Sequence, residues 1–151
     1  PWQNQVVLAV MLPVCLMVTL ALFRPNPFSF GGARNARFDP AQPGIVRLTR
    51  HPLLLALALW SGAHILPNGD LAHVILFGTF AGFALIGMRL VDRRRQREMG
   101  GRWHDLRTAT AAGGAALSLT GDTALRVLAG VVLYAVLLWL HPMVIGVDPL
   151  T

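Results

Sequence analysis

The sequence has no lysine: all 13 of its basic residues are arginines. It is poor in charge of either sign, at 13% of 151 residues, where a soluble domain carries about 25%. It has a single cysteine, Cys15, which excludes an intrachain disulfide and a cysteine-built metal cluster. It has no phosphate-binding glycine loop, no nucleophile elbow and no paired carboxylates. Zinc-type Cys/His spacing is absent too. The net charge of +6 does not indicate nucleic-acid binding, because no aromatics are interleaved with a basic groove.

What is present is apolar. Hydrophobic residues make up 54% of the chain, and the mean hydropathy is +0.56. This composition predicts one all-α domain over 1–151, a polytopic transmembrane helical bundle of about four spans. The chain opens on Pro1-Trp2 with no signal-peptide pattern, which reads as a segment of a longer protein.

The spans are expected at about 5–23, 51–67, 70–91 and 123–147. The first is nineteen uncharged residues, enough at about 1.5 Å each to cross a hydrocarbon core, with Pro13 expected to kink it. Cys15 within it is expected to pack as a small apolar residue. Residues 25–44, rich in Pro, Gly and Asn, read as an interfacial loop with Phe28, Phe30 and Phe38 at headgroup depth beside Arg34 and Arg37. Pro52 suits the first turn of the second helix, where its missing N–H goes unused. Asn68-Gly69 signals a turn, and Asp70 can cap the third helix. Asp92 also reads first as a helix-end residue, and Asp122 as a cap for the last helix. Gly78 and Gly82, four apart in the third run, offer a face for close helix approach, although glycine is frequent in membrane helices. Gly100-Gly101 interrupts the arginine-rich stretch that follows. Residues 108–121 are small and weakly apolar, and read as loop or re-entrant turn.

The arginines orient the chain. The loop 24–50 holds five arginines and one acid, and the segment 89–107 holds seven arginines and three acids. Both are expected on the cytoplasmic side of the bacterial inner (plasma) membrane, with the turn 67–70 outside.

The histidines are the candidates for chemistry. His104 lies in the arginine-rich segment and is expected in solvent. His51 falls at the cytoplasmic end of the second span, and His64, His73 and His141 at the outer ends of three spans. Such residues either satisfy themselves at helix ends or ligate metal or haem iron, the three outer ones as a candidate set. His51 and His64, thirteen residues and about 19 Å apart along one helix, cannot share an ion. Arg47, Arg50 and His51 form a candidate anion site for haem propionate, lipid phosphate or a cofactor carboxylate, or else plain positive-inside anchoring.

Several motifs occur in an order that resembles one family. Arg50-His51-Pro52-Leu53-Leu54, Trp60, Ala63-His64, Asn68-Gly69-Asp70 and Leu76-Phe77-Gly78 are followed by Trp103, Arg107-Thr108, Trp139-Leu140-His141 and Ile145-Gly146-Val147. From about residue 45 to 150 the chain resembles the NnrU family of membrane proteins. That family is associated with bacterial nitrite and nitric oxide metabolism (denitrification), and is related to 15-cis-ζ-carotene isomerase, which binds haem b through histidines. The resemblance implies haem b as cofactor, with His64 and His51 as candidate iron ligands, His141 as a further one, and Arg47 and Arg50 near propionates. It leaves open whether the chain is itself an enzyme, and it implies a preceding segment with a Gly-x-His-Ser stretch.

A weaker resemblance, Gly44-x-x-Arg47-x-x-Arg50-His51-Pro52, is to membrane methyltransferases that use S-adenosylmethionine. Their paired glutamate after the hairpin is replaced here by Arg93-Arg94. A third reading is a non-catalytic accessory subunit, docking a membrane partner or a second copy on the glycine face. The expected partners are therefore the lipid bilayer and another membrane chain, not nucleic acid.

Overall fold

The structure is a computed structural model that describes residues 2–114, 118 and 120–150. Five helices are described: α1 (Trp2–Ala21), α2 (Pro52–Ile65), α3 (Leu71–Met99), α4 (Gly101–Ala112) and α5 (Gly121–Val144). No strand occurs among the described residues. α1, α3 and α5 are long and apolar enough to cross a membrane, and α2 is a shorter apolar helix. The expected all-α membrane bundle is therefore what the chain forms.

The helices lie in a row. α1 packs between α2 and α5, and α2 packs between α1 and α3. The order α3–α2–α1–α5 puts the shortest of these four helices inside. At 14 residues α2 spans only about 21 Å, short of a hydrocarbon core of about 30 Å. Its neighbours cover it: Leu54, Ala56, Ser61 and Ala63 are buried. Ser61 satisfies its hydroxyl on the Leu57 carbonyl at 2.7 Å. Cys15 is buried on α1, as expected of a small apolar residue.

Local signals set most helix starts. Pro52 occupies the first turn of α2, and the Asp70 carboxylate accepts from the Ala72 and His73 N–H groups at the start of α3. At α5 the cap is Thr120, whose hydroxyl accepts from Thr123 N–H; Asp122 sits in the first turn and pairs with Arg24 and Arg126. Arg126 then donates to the Thr19 and Leu22 carbonyls, both at 2.9 Å, which closes the C-terminal end of α1. Gly100, at φ +58°, divides α3 from α4, a backbone turn that disfavours a side chain.

Three sequence expectations change. Phe28 does not face lipid headgroups: it is fully buried against Val46 and Trp103, with the Phe28 and Trp103 rings edge-to-face at 6.2 Å. Residues 108–112 continue α4 and are not loop, while 115–117 and 119 of the small-residue stretch lie outside the described residues. Gly78 and Gly82 receive no helix among the described residues, since a Cβ at either would meet nothing within 4 Å. The close approach is at Gly130 on α5, where a Cβ would lie 2.8 Å from Thr19 Oγ1 and 3.1 Å from Leu16 Cα on α1.

Candidate functional site

The sequence-derived candidates separate into two clusters at opposite ends of α2. At the arginine-rich end, residues 22–50 fold as a cap over the helices. Arg50 donates to Asp92 twice, Nε to Oδ1 at 3.2 Å and Nη2 to Oδ2 at 2.7 Å. The guanidinium also lies over the Trp103 ring, 5.6 Å from its centre. His51, directly before α2, is almost fully buried. Its Nε2–H donates to Asp92 Oδ1 at 3.0 Å, and the Ser29 hydroxyl lies 2.9 Å from its Nδ1. Asn26 donates to the Arg50 carbonyl, tying the cap to the start of α2. Arg47 goes elsewhere: its Nη1 donates to the Gly113 and Gly114 carbonyls at 2.8 and 2.7 Å, beyond the end of α4.

Asp92 and Ser29 are the residues that reading the sequence missed. Asp92 is not a helix-end residue; it lies well inside α3 and holds Arg50 and His51 together. One signal was available: a carboxylate within a run of four charged residues at a membrane helix end favours an ion pair. Ser29 carries no such signal. Ser29, His51 and Asp92 repeat the residue types of a hydrolytic triad. Ser29 is only 2% exposed, however, so its hydroxyl is closed to substrate and the three residues form a structural pin.

His51 lies outside the helical span, and burial pushes its pKa below the ordinary 6.5 against the opposing pull of Asp92. The ring is then neutral, with Nε2–H on Asp92 and Nδ1 accepting from Ser29. The unfolded chain binds this proton more readily than the folded one, so stability falls as pH drops below 6.5 towards the lowered native value. Thermal unfolding in detergent is expected to be flat above pH 7 and to lose up to about 1.4 kcal/mol per pH unit below it. His51→Asn is expected to reduce that slope, and an unchanged slope in the variant would assign it to other groups.

At the opposite end, His64 on α2 donates from Nδ1 to the Trp60 carbonyl at 2.7 Å. Its ring packs against Trp60 and Phe77, each 5.3 Å between centres. His141, near the end of α5, donates from Nδ1 to the Val147 carbonyl at 2.7 Å. The two imidazoles lie at the same end of the bundle. In both, Nε2 keeps its lone pair, with no partner among the described residues. His73 differs: its Nδ1 is engaged by the Asp70 carboxylate that caps α3, and its ring stacks on Phe77. His104 is exposed, as expected. Among the described residues, no three His, Cys, Asp or Glu side chains converge as a metal site.

The structure thus brings His64 and His141 to one end, joins Arg50 and His51 on Asp92 at the other, and sends Arg47 to α4. No curated protein and no solved structure matches the chain. A family model described as NnrU protein matches residues 1–149, which includes α1 as well as the motifs from residue 45 onward. With that match over nearly its whole length, the chain belongs to the NnrU protein family.

Proposed function

We propose that this NnrU family membrane protein binds haem b at the end of the bundle away from the arginines, with His64 as an axial ligand and His141 as its partner. The observation that carries this is the state of the His64 ring. Its Nδ1–H is committed to the Trp60 carbonyl at 2.7 Å, which selects the tautomer whose Nε2 can bind iron. A carbonyl or carboxylate on the far nitrogen is the usual support for a metal-binding histidine, and it raises ligand basicity. His141 has the same arrangement through Val147. A set of two histidines suits haem, because the macrocycle supplies the other four ligands.

The surroundings fit a flat apolar group. Trp60 and Phe77 both pack against the imidazole, their rings 5.3 Å from it and from each other, and Trp139 nearby in sequence is 63% exposed. The Asn68 amide donates to the His64 carbonyl at 2.9 Å and fixes the turn after α2. Haem there supplies one-electron redox chemistry or a Lewis-acidic iron, which accords with the family's association with nitrite and nitric oxide metabolism and with its relation to a haem-dependent isomerase. His51 is a weaker ligand candidate, since both of its ring nitrogens are already hydrogen-bonded. In this reading the arginine-rich end faces the cytoplasm of a bacterial inner membrane.

The test is an absorption spectrum of the full-length protein in detergent, oxidised and then dithionite-reduced. A Soret band with sharpened reduced bands is expected. His64→Ala should remove most of it, and His51→Ala should leave it. A featureless spectrum after haem reconstitution, or unchanged haem content in His64→Ala, would overturn the assignment.

A further inference from the structure

Asp92 closes off one side of a groove that the haem proposal does not use. The groove, about 690 Å³, runs between the start of α2 and the C-terminal half of α3, within the range of small-molecule sites. Leu48 and Arg50 form part of one wall, and Gly82, Leu85, Ile86 and Arg89 the other.

Its position in the bilayer follows from α3. Residues 71–88 carry no Asp, Glu, Lys or Arg, and 18 residues rise about 27 Å, close to the thickness of a hydrocarbon core. Arg89 is therefore at headgroup level, and Gly82 lies about 10 Å deeper, among the acyl chains. The groove is consequently two-phased: its inner part is apolar and its outer part charged. Leu85 and Ile86 are more than half exposed, so the apolar part opens sideways to lipid. Gly82 leaves room there, since a Cβ would meet nothing within 4 Å.

The charges do not balance. Asp92 is shared by Arg50 and His51 and is fully used. Arg89 has no hydrogen bond or ion pair among the described residues. With His51 neutral, the groove carries one uncompensated positive charge. Arg89 is exposed at headgroup level, where the phosphate of an anionic lipid supplies the missing counter-charge.

We propose that this groove holds one anionic phospholipid, its phosphate on Arg89 and an acyl chain along Gly82, Leu85 and Ile86. A free anion would use the arginine but none of the apolar wall. A zwitterionic lipid would bring its own cation to a site already positive.

Native mass spectrometry of the full chain in detergent, offered equal phosphatidylglycerol and phosphatidylcholine, tests this. One retained phosphatidylglycerol is expected. Arg89→Gln should lower its retention about fivefold, the size of one arginine–anionic lipid contact. Gly82→Leu, which fills the apolar part, should lower it similarly. Arg93→Gln should not, because Arg93 is exposed on the same helix but does not line the groove. Arg89 has no partner among the described residues, so Arg89→Gln should melt as the wild type does. Equal retention in Arg89→Gln, an equal loss in Arg93→Gln, or equal retention of phosphatidylcholine would overturn the proposal. So would displacement of the lipid by inorganic phosphate at the same concentration.

Discussion

Asp92→Ala is expected to destabilise the protein by about 3 kcal/mol. The carboxylate accepts from Arg50 Nε and Nη2 and from His51 Nε2, at 3.2, 2.7 and 3.0 Å. Without it the guanidinium is left over Trp103 with no counter-charge, and a buried imidazole N–H has no acceptor. Breaking a buried ion pair costs about 3–5 kcal/mol, because the remaining charge stays desolvated. The lower end applies here, since the Arg50 and Asp92 side chains are 32% and 20% exposed. Asp92→Asn keeps an oxygen for His51 but presents an amide to Arg50, so about half the loss is expected. Unfolding by heat or by titrated denaturing detergent reads both. A loss below about 1 kcal/mol for Asp92→Ala would mean that the pair behaves as a surface salt bridge.

Gly130→Leu is expected to detach α5 from α1. The glycine sits where the two backbones come closest, and even a Cβ would lie 2.8 Å from Thr19 Oγ1, 2.9 Å from Leu16 Cδ2 and 3.1 Å from Leu16 Cα. Leu16 Cα is backbone and cannot turn aside, so the helices must separate. Separation also breaks the Tyr134 hydroxyl bond to the Leu8 carbonyl and the two Arg126 bonds to the end of α1. Overpacking alone costs about 1–3 kcal/mol, and the lost polar contacts add to it. Gly78→Leu is the control: the same side chain on α3, where nothing lies within 4 Å, should change stability by no more than about 0.5 kcal/mol. Equal melting temperatures for the two variants would show that α5 does not depend on this contact.

The two glycines explain why one helix face was legible in the sequence and the other was not. Gly78 and Gly82 carry the recognisable four-residue spacing, yet no helix among the described residues reaches them. Gly130 stands alone in an apolar run and makes the close contact. Spacing describes one helix; contact depends on which helix comes to lie beside it. The histidines repeat the lesson. Their placement near helix ends follows from hydropathy, which is why His64 and His141 could be put at one end and His51 at the other. Whether a ring nitrogen is free depends on neighbours: Ser29 and Asp92 occupy both nitrogens of His51, whereas single backbone carbonyls occupy one each of His64 and His141.

By itself, the sequence determined the class and the course of the chain. Apolar runs bounded by arginines had to become membrane helices, because an unpaired backbone is too costly in lipid. Pro52 and Asp70 had to start two of them, because those effects act within one turn. Only the tertiary structure decided the row order of the helices, the burial of Phe28, the sharing of Asp92 and the uncompensated charge on Arg89. Each of these depends on groups far apart in the chain, such as Ser29 with His51, Arg50 with Asp92, or Tyr134 with Leu8. A local pattern carries no information about such meetings, and packing and desolvation act only once they have happened.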